Sequence, residues 1–374
     1  MEIRKQVLPV SRPFSDHEEV EAVRQVLDSG WWGKGPKVEQ FEKEFAAMVG
    51  AKYAIAVTSA SAGQDLVLKA LGMKGIDVIS PTISFMTTAA VPLWNGCTSN
   101  IVDVDPVSLN IDPQDVKESL TPKTKLVIAV NNAGVLAPID EIRSFFEGFI
   151  LEDCAHSCYT PGAGSKGDAA VWSFQAVKTM PTGDGGMITT NDPELYEKIL
   201  PLTWFGISST YSRTKSSDEA NLNGRPGYSW DYEIDVLGYK AYMIDLTAAI
   251  GLSQMKKLPA NLKWRRHIQS RYNAELHPSV KRPAHTETVQ YYGARVPAEK
   301  RDMLISFLAE KLIHTSVHYK PLHLHPITRQ NRKFPVADTE WLRLISLPCH
   351  SAMSEEDISY VVYWVNEFFN QSES

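Results

Sequence analysis

Several features are scarce or missing in this 374-residue sequence, and each absence argues against a class of protein. The four cysteines form no Cys-x-x-Cys pair, which argues against a disulfide framework and suits a reduced, cytoplasmic protein. No apolar run reaches the length of a membrane span, and no secretory leader pattern is present at the N-terminus. Lysine and arginine (38) do not outnumber aspartate and glutamate (44), so we do not expect nucleic acid as a partner.

Two specific sites are also disfavoured. The first apolar strand, Tyr53–Val57, leads into Thr-Ser-Ala-Ser-Ala-Gly and not into Gly-x-Gly-x-x-Gly, which argues against a Rossmann dehydrogenase. Cys154 and Cys158 flank His156, so a zinc site is conceivable there. Reduced thiols fit the scattered cysteines better, and we expect no metal.

The sequence that remains has the composition of an ordinary globular enzyme, 43% apolar and 22% charged. Apolar runs separated by segments of helical period occur at residues 53–57, 77–80, 98–104 and 126–130. Strands that alternate with helices pair in parallel through right-handed crossovers, so we predict an α/β fold with a mostly parallel sheet. The length suggests a large domain over residues 1–250 and a small one over 251–374.

Further elements are predicted outside the sheet. A first helix should be capped near Ser15, with Glu18 three residues later, and a long helix should begin at Asp245. In the C-terminal part we predict strands near residues 294–296 and 316–318, and helices near 299–311 and 355–369. The polar segment 206–232 is long for a loop in a compact domain, and such loops are usually functional or disordered.

The segment from residue 171 to 191 places a lysine between two strands. An apolar strand over residues 170–174 is followed by Lys178, a Gly-Asp-Gly-Gly turn and a second strand over 187–190. The glycines permit close approach of the backbone to a ligand, and Ser173 offers a hydroxyl nearby. Taken alone, this pattern is also typical of a surface lysine on a hairpin.

A second segment upstream favours a catalytic role for this lysine. An apolar strand ends at Asp153, and His156 follows three residues later. Ligands of open α/β sheets bind at the carboxyl ends of the strands, so Asp153 should point into such a site. Pyridoxal phosphate (PLP) requires a carboxylate for its pyridine nitrogen, a lysine amine, a partner for its ring hydroxyl and donors for its phosphate. These residues meet that requirement.

Together these segments resemble the DegT family of sugar-nucleotide aminotransferases, a branch of the fold-type I PLP enzymes. That family typically reads Glu-Asp-Ala-Ala-His, then Ser-Phe-x-x-x-Lys, then Gly-Glu-Gly-Gly; here Asp184 replaces the glutamate of the turn. The resemblance implies a large PLP domain and a smaller α+β C-terminal domain. It further implies that Lys178 binds PLP and moves protons, that Asp153 faces the ring nitrogen, and that His156 bonds the ring hydroxyl.

The resemblance also assigns the phosphate site. Small hydroxyl residues at a strand-to-helix junction present free amides to an anion, and the family uses Ser-Gly-Thr where this chain has Ser59, Ala60 and Ser61. We therefore expect Ala60, Ser61 and Ser173 at the phosphate, although Ser59 or Ser61 could also simply cap the helix. In the family, the residue that matches Lys240 reaches the cofactor phosphate of a partner subunit, which implies a homodimer with shared active sites. The two residues after it, Ala-Tyr, differ from the commonest family pattern.

Further site residues follow from the resemblance alone. Phe85 is expected to stack on the cofactor ring. Trp32 and Lys34, in the loop Trp-Trp-Gly-Lys-Gly-Pro, resemble a family segment near the substrate. His318 and Tyr319 belong to a His-Tyr-Lys-Pro-Leu-His segment that is similar to the family's His-Tyr-x-Pro-x-His at the substrate entrance.

The resemblance thus implies an aminotransferase that converts a keto-sugar nucleotide into an amino-sugar nucleotide, with glutamate as the expected donor, for polysaccharide or deoxyamino-sugar biosynthesis. Two alternatives stay open at this point. A PLP-dependent sugar dehydratase of this family would carry histidine in place of Lys178. A PLP-binding regulator would bind the cofactor without converting it to pyridoxamine phosphate (PMP).

Overall fold

The structure, a computed structural model, describes residues 1–207, 234 and 236–371. Within these residues the α-helices are α1 (His17–Ser29), α2 (Pro36–Val49), α3 (Ala60–Ala70), α4 (Thr87–Trp94), α5 (Pro113–Glu118), α6 (Ile139–Arg143), α7 (Pro193–Leu202), α8 (Asp245–Glu275), α9 (Ala298–Glu310), α10 (Pro335–Glu340) and α11 (Glu355–Gln371). The strands are β1 (Tyr53–Val57), β2 (Asp77–Pro81), β3 (Thr98–Val102), β4 (Thr124–Val130), β5 (Phe149–Asp153), β6 (Ala169–Ser173), β7 (Gly186–Thr190), β8 (Tyr292–Arg295) and β9 (Leu344–Leu347).

Seven strands form one sheet in the order β1-β7-β6-β5-β4-β2-β3. Strand β7 is antiparallel to both of its neighbours, β1 and β6, and the other pairs are parallel. Six strands therefore run in one direction, and their carboxyl ends lie along one edge of the sheet. The predicted α/β fold with a mostly parallel sheet is confirmed.

The alternation of side chains along the strands decides which face each site residue occupies. Leu151 and Val171 point to the face covered by α3 and α7, together with Leu66, whereas Ile150 and Trp172 point to the opposite face. Because side chains alternate along a strand, the last residue of β5, Asp153, lies on the α3 side. Its neighbour Glu152 lies on the other side.

A second core lies around the small sheet β8–β9. Its buried residues come from β8, β9, α9, α11 and the C-terminal half of α8, and include Tyr272, Tyr292 and Phe369. The predicted long helix from Asp245 is confirmed as α8, which also contributes Leu252 to a core of the large sheet. The expected domain boundary at residue 250 falls inside α8, and the division itself stays a prediction.

Other parts of the chain close both edges of the large sheet. At the β3 edge, Gln330 Nε2 donates to Ser99 O (2.6 Å) and its Oε1 accepts from Ile101 N (3.2 Å), as a neighbouring strand would. At the β1 edge, Glu42 Oε1 accepts from Ala56 N at 2.8 Å. Backbone groups that would otherwise be unpaired are thereby satisfied.

Two local predictions are wrong. The segment 316–318 makes a single bridge, from Ser316 to Ser346, and forms no strand. Helix α1 is capped by Asp16, paired with Glu19 in a capping box, and so begins one residue later than expected. Most of the predicted polar loop, 208–233, lies outside the described residues.

Candidate active site

The carboxyl edge of the sheet gathers the residues that the sequence singled out. Asp153 ends β5, Ser173 ends β6, and Ala60 begins α3 directly after β1. Lys178 lies in the connection between β6 and β7, which is the hairpin that the sequence suggested. The lysine itself is half-buried, so it is not a surface residue of that hairpin.

The loop that carries Lys178 is held in place from several directions. The Ala176 amide donates to Gly183 O at 2.9 Å, and the Lys178 amide donates to Gln175 O at 2.8 Å. The carbonyl of Val177 accepts from Ser11 Oγ (3.1 Å) and Gln290 Nε2 (3.0 Å). These two donors belong to the N-terminal arm and to the segment before β8, so two distant parts of the chain fix the backbone next to the lysine.

The Lys178 amine is the titratable group whose surroundings matter most to the chemistry. Burial lowers the pKa of Lys178 from 10.5 to about 8, although the negative charge of Asp153 opposes this shift. Among the described residues, Lys178 Nζ makes no hydrogen bond. The amine is therefore available, and a useful fraction of it is neutral near physiological pH.

Asp153 is buried and accepts two hydrogen bonds. Gln64 Nε2 donates to Asp153 Oδ2 at 2.8 Å, and the Ala155 amide donates to Oδ1 at 2.9 Å. Burial raises the pKa of Asp153, while the Ala155 amide, the nearby Lys178 charge and the Gln64 amide all act to lower it. Two donors and one cation thus oppose the effect of burial on this carboxylate.

His156 and Tyr319 form one wall of the site. Tyr319 Oη lies 3.0 Å from His156 Nε2, and the two rings are stacked with centroids 6.0 Å apart. The Ala133 amide donates to His156 Nδ1 at 3.4 Å, so the neutral ring carries its proton on Nε2 and donates it to Tyr319. Burial, together with the charges of Lys178 and His318, holds the pKa of His156 well below its usual value.

Tyr291 and His318 continue this wall. Their rings are stacked at 4.4 Å, His318 Nδ1 lies 2.8 Å from Ser346 Oγ, and Tyr291 Oη donates to Asn132 Oδ1 at 2.7 Å. Burial, and then the charge of Lys178, lowers the pKa of His318 to about 4. Both histidines near Lys178 are therefore neutral at physiological pH.

The N-terminus of α3 faces the same site. Ser59 caps the helix by accepting from the Ala62 amide at 3.1 Å, and among the described residues the Ala60 and Ser61 amides have no acceptor. A side chain at Gly186 would place its Cβ 2.6 Å from Ala60 N, so this glycine lets the helix end lie directly on β7. Two free amides and the positive end of a helix dipole make an anion site.

Two more predicted residues, Ser61 and Ser173, lie at the same edge of the sheet. Ser61 Oγ is 2.6 Å from Thr87 Oγ1, and Ser173 is buried. Phe85 is exposed, with its ring centroid 6.3 Å from that of Tyr319. Lys240 is exposed and forms a backbone bridge with Trp204.

Trp32 and Lys34 lie in the loop between α1 and α2. Asp245, buried at the start of α8, fixes this loop because its carboxylate accepts from Lys37 N (3.1 Å) and Val38 N (3.0 Å) while its amide donates to Gly33 O (2.8 Å). Among the described residues, neither Trp32 nor Lys34 hydrogen-bonds to Lys178 or Asp153.

Sequence reasoning did not identify Gln64, Asn132 or Tyr291 as part of the site. Asn132 lies in the turn that follows β4, and Gln64 is a polar residue on a buried face of α3, which is the one signal that could have indicated it. Tyr291 lies more than 100 residues from Lys178, so its proximity follows from the fold alone.

Two other kinds of feature are absent from the part of the chain that the structure describes. No cluster of three or more histidine, cysteine or acidic side chains is arranged to hold a metal ion. No helix in this part of the chain is long and apolar enough to span a membrane.

Comparison with known sequences identifies the family. The sequence profile of the DegT/DnrJ/EryC1/StrS aminotransferase family matches residues 13–366. The chain belongs to this aminotransferase family. Among its relatives, the spore coat polysaccharide biosynthesis protein SpsC of Bacillus subtilis is 38% identical over an alignment of 388 positions, which covers 97% of each chain.

Solved structures of the same aminotransferase fold agree with the sequence match. The aminotransferase TlmJ of Streptoalloteichus hindustanus superimposes with a TM-score of 0.90 at 28% identity, covering 98% of this chain and 100% of its own. The sugar aminotransferase Spr1654 of Streptococcus pneumoniae, in its PMP form, gives a TM-score of 0.88 at 27% identity, covering 97% and 99% of the two chains. Spr1654 has also been solved in a PLP form. The DegT/DnrJ/EryC1/StrS aminotransferases are PLP-dependent enzymes.

The residues of this family member fit that cofactor. Three groups lie along one sheet edge: a buried carboxylate, an amine and the N-terminus of a helix, whose first two amides, like the amine, have no hydrogen-bond partner in the part of the chain that the structure describes. These are the three kinds of group that PLP needs for its aldehyde, its ring nitrogen and its phosphate. The rings of His156 and Tyr319, which are stacked at an interplanar angle of 16°, form a wall of the same site.

Proposed function

We propose that this aminotransferase transfers the amino group of an amino acid, with glutamate as the donor, to a keto-sugar nucleotide. The observation that carries the proposal is the half-buried Lys178 amine beside Asp153, at the sheet edge where α3 begins. The choice of a sugar substrate rests on the relatives, since SpsC is named for polysaccharide biosynthesis and Spr1654 for sugar amination. The product would enter polysaccharide or deoxyamino-sugar biosynthesis in the cytoplasm.

In this proposal each residue has a distinct role at the cofactor. PLP, when bound, supplies an electron-withdrawing ring that stabilises negative charge on the reacting carbon. Lys178 binds the cofactor and then takes a proton from the substrate carbon and returns it. A pKa of about 8 leaves about a tenth of this amine neutral at pH 7. Asp153 pairs with the ring nitrogen and keeps it protonated.

His156 would contact the ring hydroxyl, directly or through Tyr319. Because His156 Nε2–H donates to Tyr319, the Tyr319 hydroxyl proton is free to point toward the cofactor or the substrate. Phe85, whose ring approaches Tyr319, would stack on the cofactor ring. Trp32, Lys34 and His318 would contact the substrate at the entrance.

The phosphate would be held at the N-terminus of α3. The Ala60 and Ser61 amides and the hydroxyls of Ser61 and Ser173 are the donors within one subunit. Charge-assisted hydrogen bonds to a phosphate are about twice as strong as neutral ones, so a lysine at this site would strengthen phosphate binding considerably. We propose that Lys240 of the partner subunit is that lysine, and that the active unit is a homodimer.

Substitution of Lys178 tests the reaction. Lys178→Ala should give no covalent adduct after incubation with PLP and reduction with borohydride, and it should form no PMP from glutamate. Lys198→Ala, which removes an exposed lysine, is the matched control and should resemble the wild type. An adduct mapped to another lysine, or turnover by Lys178→Ala, would contradict the assignment. Wild-type protein that binds PLP without making PMP would instead favour the regulator alternative.

Subunit complementation tests the role of Lys240. When inactive Lys178→Ala and Lys240→Ala subunits exchange, a heterodimer with Lys240 acting across the interface has one doubly defective site and one intact site. Activity should therefore partly return on mixing. If exchanged heterodimers recover nothing although Lys240→Ala alone is inactive, Lys240 serves its own subunit.

A further inference from the structure

Gln64 connects the first turns of α3 to the carboxylate at the end of β5. Its side chain is buried, with 1% of the residue's surface exposed, and its Nε2 donates to Asp153 Oδ2 at 2.8 Å. Gln64 lies four residues after Ala60, so about 6 Å of one helix separates it from the two free amides. One rigid element therefore reaches both the anion site and the carboxylate.

The rest of the Gln64 amide is poorly satisfied. Its Oε1 is buried and has no hydrogen-bond partner among the described residues. A buried carbonyl without a donor destabilises the folded state, and an apolar side chain of the same length would avoid that cost. Packing alone therefore does not account for glutamine at this position.

The orientation of the amide depends on the charge of Asp153. Rotating the amide by half a turn would place Oε1 against the Asp153 oxygen, so an ionised carboxylate holds Nε2 in the donor position. In return, the Gln64 donor stabilises the ionised form and fixes the plane of the carboxylate together with the Ala155 amide.

We propose that Gln64 is a positioning residue of the aminotransferase reaction, which orients the Asp153 carboxylate and keeps it ionised opposite the pyridine nitrogen of PLP. This inference rests on the proposed function, because it presumes that Asp153 pairs with that nitrogen. Burial raises the pKa of Asp153, and the Gln64 donor is among the contacts that oppose this shift. Without that donor, Asp153 would be protonated more readily and would pair less well with a cationic ring.

An isosteric substitution makes this role visible as pH dependence. In Gln64→Glu the new side chain can donate to Asp153 only while it carries a proton. Above its pKa two carboxylates face each other, which is strongly unfavourable. Gln64→Met keeps the length but can never donate, so Asp153 is protonated more readily and the defect should be largest at low pH. Asp65→Asn, the adjacent residue whose Oδ1 accepts from Asn95 at 2.7 Å, is the matched control on α3.

The measurement is the dissociation constant of PLP from the apoprotein between pH 5 and 9, expressed as the ratio of variant to wild type. Other titratable groups near Asp153 are Lys178, Tyr319 and Cys154, and all variants share them. Burial raises the pKa of Tyr319 and of Cys154. Their titration, and that of PLP, therefore cancels in the ratio. We expect the Gln64→Glu ratio to rise at least tenfold with pH, the Gln64→Met ratio to be raised and to fall as pH rises, and the Asp65→Asn ratio to stay near one.

Each outcome bears on the proposal. A level Gln64→Glu ratio, or wild-type affinity in both Gln64 variants, would overturn the role of Gln64. If the wild type still makes PMP from glutamate, the proposed function survives that result. A pH-dependent ratio in a protein that binds PLP but makes no PMP would support Gln64 while refuting the aminotransferase reaction. Apoprotein that binds no PLP would overturn both.

Discussion

Two adjacent carboxylates at the end of β5, Glu152 and Asp153, are both buried and serve opposite faces of the sheet. Glu152 accepts hydrogen bonds from Asn131 Nδ2 (2.8 Å), Gly164 N (2.8 Å), Gly167 N (3.3 Å) and the amide of residue 166 (3.4 Å). Asp153 accepts two and lies beside a half-buried amine. The alternation of side chains along the strand is what separates them.

Burial of a carboxylate indicates its role only when its hydrogen-bond partners are counted. The oxygens of Glu152 are engaged by four donors, three of them backbone amides of one loop, so this residue fixes that loop against the sheet. Asp153 has fewer donors and retains capacity for a further cationic partner. A residue that can still accept a hydrogen bond at the edge of a sheet is the one suited to a ligand.

The largest effect is expected for Asp153→Asn. The substitution preserves the size of the side chain and removes the charge that we place opposite the ring nitrogen. Formation of PMP from glutamate should slow by about 100- to 1,000-fold, the usual consequence of removing one preorganised electrostatic contact. Rapid-mixing absorbance of the PLP-loaded protein gives this rate. A variant within about threefold of wild type would show that another residue faces the nitrogen.

The stability of the same variant should change in the opposite direction. Burial raises the pKa of Asp153 in the folded protein above its value in the unfolded chain. Between these two values the folded apoprotein therefore binds more protons than the unfolded chain. Wild-type stability therefore falls as pH rises through this window, whereas the asparagine variant has no such loss. Thermal midpoints of the two apoproteins should coincide at low pH, with the variant higher at pH 7.

Glu152→Gln should reverse this pattern. The new amide group would face backbone N–H groups that now donate to Oε2, so two acceptor contacts are lost and donors face donors. We expect a loss of about 1–3 kcal/mol in the free energy of unfolding, with the rate of PMP formation close to normal in folded protein. Denaturation of the apoprotein and the half-reaction measure the two effects separately. A rate defect as large as that of Asp153→Asn would contradict the separate roles of the two carboxylates.

The smallest effect concerns the amine beside Asp153. Since burial lowers the pKa of Lys178 to about 8, the folded apoprotein holds this proton less tightly than the unfolded chain. Stability therefore rises with pH between 8 and 10.5, the interval that separates the two values. Lys178→Met should be more stable than wild type by about 1 kcal/mol at pH 7, a value reduced because the side chain is partly exposed, and the gain should fade by pH 10. An equal gain at both pH values would mean that the effect comes from packing and not from charge.

The part of the site that could be predicted is the part encoded by local sequence. Asp153, His156, Ser173 and Lys178 lie within one short segment, and the strand period together with the carboxyl-end rule brings them to one edge. The helix that begins at Ala60 was also predictable, because small hydroxyl residues follow an apolar strand there. Their roles in catalysis were proposed from the family resemblance.

The other part of the site depends on contacts between residues far apart in the sequence, which local sequence patterns do not predict. Tyr291 and His318 reach His156 from beyond α8, and their stacking requires the second core to lie against the first. The expected strand over residues 316–318 failed for a related reason, since residues near Ser316 engage side chains of the site and make one bridge to Ser346. Gln64 was missed because its partner lies 89 residues away.

The closed edges of the large sheet restrict how two copies of this chain can associate. With Gln330 bonded to the outer side of β3 and Glu42 bonded to that of β1, an incoming strand finds its nearest hydrogen-bonding positions already taken. Continuous intermolecular sheets, the usual start of aggregation by α/β proteins that expose an edge, are thereby disfavoured. In the proposed homodimer the subunits would instead associate through side chains of helices and loops, and such an interface can bring a residue of one copy to the site of the other.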